Sequence, residues 1–387
     1  MNIAAIIENV QAVSTEFAQQ RGERQVRREL VQADFDHLKA AGFLLTGVPV
    51  EQGGLWESME HSTRPICKLL RILAHGDSSV ALVSAMHPSV LALWLATPQV
   101  EPSSQAAWEE QRNICAQSAV DGHWWGTITS EPGSGGDIAQ TKTIAHMDAS
   151  ASDDPAAYLI SGQKHFGSGS GVTSFMITTA VPAGEQTPDL FFFDMREIPW
   201  DGSAGVRLIA PWDGHGMIAT QSHALSFDDF PAIRCAWPGN LSKLAAPVFL
   251  VSACCFTAVV VGIVETALNT ARSFLEKRRS TLHAYEQIEF ERAEVEGWLI
   301  QQAYEGMLRA VEQKGLAGRR DTLIAKTAVA ELAETCMGRL CKVIGGGTYA
   351  RRSPFGFWFE DVRALGFLRP PWTLAYDQLF QGGWPTA

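Results

Sequence analysis

Residues 244–264, "LAAPVFLVSACCFTAVVVGIV", carry no charged side chain over 21 positions. A helix of that length is about 30 Å long, enough to span a bilayer. Such a segment is either a membrane span or a helix apolar on all sides at the centre of a bundle. Three features favour the bundle: much Ala, Ser, Cys and Thr, charges at Lys243 and Glu265 on its edges, and no aromatic belt. Amphipathic helical patterns also follow it, as bundle partners would: "ETALNTARSFLEKRR", "FERAEVEGWLIQQAYEGMLRAVEQKG" and "DTLIAKTAVAELAETCMGRLCKVIGGG". Four long segments with short breaks predict a C-terminal four-helix bundle over 237–387.

Residues 1–118 are helical in pattern too. "LVQADFDHLKAAGFL" has apolar residues at helical spacing and ends near Gly42. "RPICKLLRILAHG" and "SSVALVSAMHPSVLALWLA" follow after a loop, with Asp77 or Ser78 as the N-cap of the second. From 119 to 236 the texture changes. "AAYLISGQKHFGS", "SFMITTAV", "DLFFFDM", "VRLIA" and "HALSFDDF" are short β-rich runs separated by Gly, Pro and Asp. The expected architecture is α+β and multidomain: a helical domain, a central β domain and a helical bundle.

Net charge is −11 over 387 residues. That argues against nucleic acid or an anionic membrane as partner, since both need a concentrated basic face. Seven scattered cysteines show no C-x-x-C pair and no metal-ligand spacing. They predict reduced thiols, a cytoplasmic protein and no metal site. "MNIAAIIENV" lacks the basic start of a signal peptide.

"TSEPGSGGD", Thr129 to Asp137, packs three glycines, a proline and two acidic residues into nine positions. Glycine lets backbone N–H groups approach a ligand because no Cβ intervenes. Taken alone, the loop binds an anion, closes a tight turn, or does both.

In their order and lengths, the helical, β and helical parts resemble the acyl-CoA dehydrogenase superfamily. Five segments carry the resemblance: "GVPVEQGG", "ITSEPGSGGDIAQTKTIA", "YLISGQKHFGSGSGVTSFMITTAV", "GHGMIATQSHALSFDDFPA" and "VIGGGTYARRSPFGFWFEDVRALG". It implies the acyl-CoA dehydrogenase fold and a flavin, FAD or alternatively reduced FMN or FAD as co-substrate. By this resemblance Ser130 directs a hydroxyl at the flavin pyrimidine edge, with Ile128 and Thr129 giving nearby backbone. Gly133, Gly135 and Gly136 let the chain pass the cofactor. The family often has serine at the place of Gly136, so Ser134 is the candidate replacement. Phe166 stands where an aromatic meets the ring, and Ser168 where a hydroxyl approaches N5. Arg278, with the backbone at Gly345 and Gly346, stands where the family reaches a neighbouring subunit's cofactor. That implies a homo-oligomer, dimer or tetramer.

The resemblance also implies a carboxylate that removes the proton α to a thioester. The family's commoner position for it holds Arg369 here, followed by Pro370 and Pro371. The other holds Ser252, and a neighbouring contact to CoA falls on Ala253. Neither Arg369 nor Ser252 abstracts a carbon-bound proton at neutral pH, so the catalytic base is unknown. The expected function is a flavin-dependent oxidoreductase of acyl-CoA dehydrogenase type, acting on a small molecule such as an acyl-CoA. The alternatives are a reduced-flavin monooxygenase of the same fold and a non-catalytic flavin-binding homologue. For a monooxygenase, His165, His215 and His223 are candidate proton donors. Glu360, Asp361 and Arg363 are expected to form an ion-pair turn. Arg369 is a candidate anion-binding residue.

Overall fold

Asp77 divides one long apolar stretch into two helices. One carboxylate oxygen caps the second helix by accepting from Val80 N–H at 2.9 Å, and the other holds Arg24 at 2.8 Å. The structure, a computed structural model, describes residues 2–97, 99–151 and 156–383. The first part contains α1 (Ile3–Gln19), α2 (Arg21–Arg24), α3 (Gln32–Ala40), α4 (Met59–Gly76), α5 (Ser78–Leu95) and α6 (Gln105–Val120). After α3 the chain turns at Gly42, whose φ of 89° suits a residue without Cβ.

Among the described residues the central part holds seven strands. They are β1 (Trp125–Thr127), β2 (Ile144–Met147), β3 (Ala157–Gly167), β4 (Phe175–Pro182), β5 (Asp189–Asp194), β6 (Val206–Ala210) and β7 (His223–Arg234). The five β-rich runs of the sequence became β3 to β7. β1 and β2, three and four residues long, are too short to show a period. Pairing runs β2–β3–β7–β5–β4 and returns to β2, so the sheet closes on itself. β5 explains its own unbroken run of phenylalanines. Phe191 and Phe193 fill the inside of the closed sheet, while Leu190 and Phe192 pack outward against the α5–α6 region around Trp94. A strand buried on both faces loses the usual alternation.

The last part comprises α7 (Leu241–Glu276), α8 (Ala284–Lys314), α9 (Arg319–Ile344), α10 (Pro354–Phe367) and α11 (Trp372–Gln381). The apolar segment and "ETALNTARSFLEKRR" are one helix of 36 residues, not two. The fourth bundle helix is instead α10. Nothing between Val264 and Glu265 breaks the helix; only the surroundings change. Upstream of that point α7 is wrapped by α4, α5, α9 and α10, and every residue from Leu250 to Val264 is buried. In α5 and in α7 alike, 89% of the most apolar window is buried against protein, which is the environment of a bundle core.

Candidate cofactor and substrate site

The two glycine-containing segments of the β part come together. Ser130 and His165 form a bridge, with His165 N–H donating to Ser130 C=O at 2.8 Å. Beneath it, Lys164 is fully buried and pairs with Glu131 at 2.6 Å. Glu131 also accepts from Thr143 Oγ1 and from the N–H groups of Lys142 and Thr143. Burial pushes the Lys164 ammonium down to about 8, against the pull of Glu131. The glutamate of "SEPG" is therefore the anchor of the loop and is spent on structure.

What the loop presents is set by this anchor. Gly133 and Gly135 have φ of 79° and 60°, and a Cβ on either would meet nothing within 4 Å. Gly136 differs: with φ of 84°, its Cβ would lie 3.0 Å from Pro371 Cγ. A serine does not fit there without displacing the C-terminal turn. The Ser134 hydroxyl donates to Glu131 C=O at 3.0 Å and accepts from Gly136 N–H at 3.3 Å. Ile128 lies under the loop with its N–H on Ile177 and its C=O on Thr178 Oγ1, so its backbone is committed to the sheet. Thr129 and Ser130 keep half-exposed side chains.

Phe166 is 60% exposed and has a left-handed φ of 60°, unusual for an aromatic residue. Its ring meets Trp212 edge-on with centroids 6.2 Å apart. Ser168 is buried and shares a hydrogen bond with Ser222 at 2.8 Å. Ser130, through its bridge to His165, thus lies on the same stretch of the β part as Phe166 and Ser168.

Arg369 completes this side. It donates through Nη2 to Ser130 Oγ at 2.6 Å and through Nη1 to Thr129 Oγ1. Burial lowers its pKa to about 10, which leaves it charged at neutral pH. The turn that carries it is held by Lys326 of α9, a residue the sequence did not single out. Lys326 Nζ donates to the carbonyls of Leu368 at 2.8 Å and Pro370 at 2.7 Å, one on each side of Arg369. Lys326 is 2% exposed and burial pushes it down to about 7. Its spacing from the buried Leu323 and Ala330 places it on the inner face of α9, and that was the available signal.

A narrow cleft of about 70 Å³ opens beside Arg369, between the glycine loop, α7 and α9. Ala253 lines it. Ser252 is buried and donates to Phe249 C=O at 3.2 Å. Among the lining residues the one carboxylate is Asp137, whose Oδ1 accepts from Ala139 N–H.

Other candidates fall elsewhere. His223 is buried, accepts from Trp212 N–H at 2.9 Å, and is pushed down by burial. Asp361 forms no ion pair with Arg363, contrary to expectation; Arg363 pairs with Glu360 at 2.6 Å. Asp361 is buried, accepts from Ser78 Oγ at 2.5 Å and Met217 N–H at 2.6 Å, and is pushed up to about 6 by burial. It ties the end of the β part to α5 and α10.

Arg278 and the Gly345–Gly346 backbone adjoin one another in the same chain. Arg278 donates to Val343 C=O at 3.0 Å and pairs with Glu286 at 2.8 Å, while its buried Nε–H has no acceptor among the described residues. Gly346 and Gly347 face open space. Ala253 lies 23 residues before the end of α7 at Glu276, about 35 Å of helix, and Arg278 follows just beyond that end. The two clusters lie far apart within one chain.

No protein-family model matches the chain, and no curated protein matches it. Solved structures do. KijD3 in complex with dTDP superposes with a TM-score of 0.78 at 21% identity, covering 98% of this chain and 95% of that one. FMN-bound TdsC from Paenibacillus sp. A11-2 gives 0.77 at 17% identity, covering 97% and 96%. Glutaryl-coenzyme A dehydrogenase in its glutaryl-CoA complex gives 0.79 at 17% identity, covering 98% and 95%. The chain has the fold of these proteins over nearly its whole length, which is the acyl-CoA dehydrogenase fold.

Proposed function

We propose that the chain is a flavin-dependent oxidoreductase that does not use a carboxylate to take a proton from an acyl thioester. The carrying observation is the pair of hydrogen bonds from Arg369 to Thr129 and Ser130. A permanent cation occupies the ground where such a base belongs, and Ser252 stands at the alternative position.

The residues fit a flavin. The glycine loop leaves open space at Gly133 and Gly135, and Phe166 offers an exposed aromatic face beside Ser130. FAD is the first assignment; FMN, bound by the similar TdsC structure, is the alternative. When bound, the flavin supplies two-electron chemistry. Ser130 would orient the pyrimidine edge, Phe166 would cover the ring, and Ser168 would place a hydroxyl near N5. Arg369 would hold positive charge where the reduced ring is electron-rich. The Arg278–Gly346 cluster would complete a partner subunit's site, since about 35 Å of α7 separates it from the other half in its own chain.

A reduced-flavin monooxygenase is the second reading, favoured by the same missing base, because oxygenation needs a closed pocket and a proton donor. His165, beside Phe166 with centroids 6.1 Å apart, is the donor nearest the loop. The test is whether purified protein retains or takes up FAD or FMN, and whether reduced flavin with oxygen then oxidises an added substrate. A chain that binds neither flavin at micromolar concentration sinks the proposal.

A further inference from the structure

We propose that the cleft beside Arg369 takes an amphipathic carboxylate, its charged end on the guanidinium and its apolar body against Phe249, Leu250, Leu323 and Leu374. The placement rests on reading this cleft as the substrate side of the flavin site, but binding itself requires no turnover.

The donor count comes first. A guanidinium has five N–H donors. Two of those on Arg369 go to Thr129 and Ser130, and no other acceptor for it occurs among the described residues. Three donors therefore remain on a side chain that lines the cleft. A half-buried guanidinium with free donors is matched by a planar oxyanion, which takes two parallel hydrogen bonds.

The charge balance points the same way. Arg319, at the start of α9, lines the cleft and donates to Gln378 without a carboxylate partner. Lys326 is buried behind the turn with only carbonyls as partners. Glu131 is already neutralised by Lys164. Asp137 is left as the single lining carboxylate against Arg319 and Arg369. Two arginines against one carboxylate, with Arg369 half-buried and Arg319 exposed at the rim, favour an anionic ligand over a neutral one.

The walls decide the rest of the ligand. Phe249, Leu250, Ala253, Leu323 and Leu374 form an apolar lining that reaches up to the arginine. One end of the ligand is thus met by charge and the remainder by hydrocarbon. The turn is rigidly placed for this, because Lys326 holds the carbonyls before and after Arg369.

Calorimetric titration of the purified protein with octanoate and with octanamide tests the proposal. Charge-assisted hydrogen bonds of this kind predict octanoate binding about tenfold or more tighter than the amide. Arg369→Met should bring octanoate down to the affinity of octanamide and leave the amide unchanged. Arg369→Lys, which keeps the charge without the fork, should retain part of the preference. Equal affinities in the wild type, no binding of octanoate, or full preference in Arg369→Met would each overturn it. The wild-type comparison stands even if a variant fails to fold. Because heat of binding is read, a protein that binds octanoate but no flavin would sink the flavin proposal alone.

Discussion

Arg369 donates to the Ser130 hydroxyl at 2.6 Å, joining residues 239 apart in sequence. The bond couples the C-terminal turn to the glycine loop of the β part. One cation thereby touches the glycine loop and lines the cleft between that loop, α7 and α9.

A positive charge beside the flavin's pyrimidine edge stabilises the reduced, anionic ring. Arg369→Met should lower the two-electron potential of bound flavin by about 20 mV, equivalent to about 1 kcal/mol. Dye equilibration under anaerobic conditions reads this directly. An unchanged potential would mean that Arg369 does not face the cofactor.

Lys326 makes stability depend on pH. In the unfolded chain a lysine holds its proton to about 10.5, whereas folded Lys326 releases it near 7. Between those values the unfolded state binds more protons, so stability rises with pH by up to about 1.4 kcal/mol per unit. Below 7 both states are protonated and the slope vanishes. Lys326→Met abolishes this contribution. Urea denaturation at pH 6.5, 8 and 9.5 should show the stability difference moving in favour of the wild type as pH rises; a difference independent of pH contradicts the buried amine.

Phe166 separates binding from folding, because it is 60% exposed and supports little of the core. Phe166→Ala should weaken flavin binding about tenfold, the scale of one lost aromatic contact, with the melting temperature nearly unchanged. Flavin fluorescence titration beside a thermal melt checks both. Equal losses in affinity and melting temperature would assign Phe166 to structure.

Gly346 probes the second subunit. A Cβ there meets nothing within 4 Å in its own chain, so Gly346→Val should leave the fold intact. If the Arg278–Gly346 cluster reaches a partner's cofactor, the variant loses flavin affinity while the protein stays oligomeric by light scattering. A wild-type monomer that still holds flavin would exclude the shared site.

Much of this was legible in the sequence. β3 to β7 stood out because β-rich residues were bounded by Gly, Pro and Asp, and Asp77 as a cap followed from residue type. The length of α7 was hidden, since a change from apolar to amphipathic at Val264 marks a change of neighbours and leaves the helix unbroken. The pairing of "ITSEPG" with "HFGSG" was anticipated, and the structure bridges them at Ser130 and His165. Hidden were the contacts that engage polar groups within the fold: the Ser134 hydroxyl on Glu131, the Ile128 carbonyl on Thr178, the Asp361 carboxylate on Met217. Lys326 was hidden for the same reason. Its role lies in two carbonyls more than forty residues away, and residue spacing does not show such a contact.

The central claim is that an arginine has taken the place of the base. Anaerobic mixing of the flavin-loaded protein with straight-chain acyl-CoAs of several lengths tests it most directly, with flavin absorbance as the readout. The account predicts no bleaching in the wild type and none in Arg369→Glu, because the CoA contact at Ala253 is also missing. Rapid bleaching of the wild type by any of these thioesters would show that another base acts in the cleft, and would contradict the account.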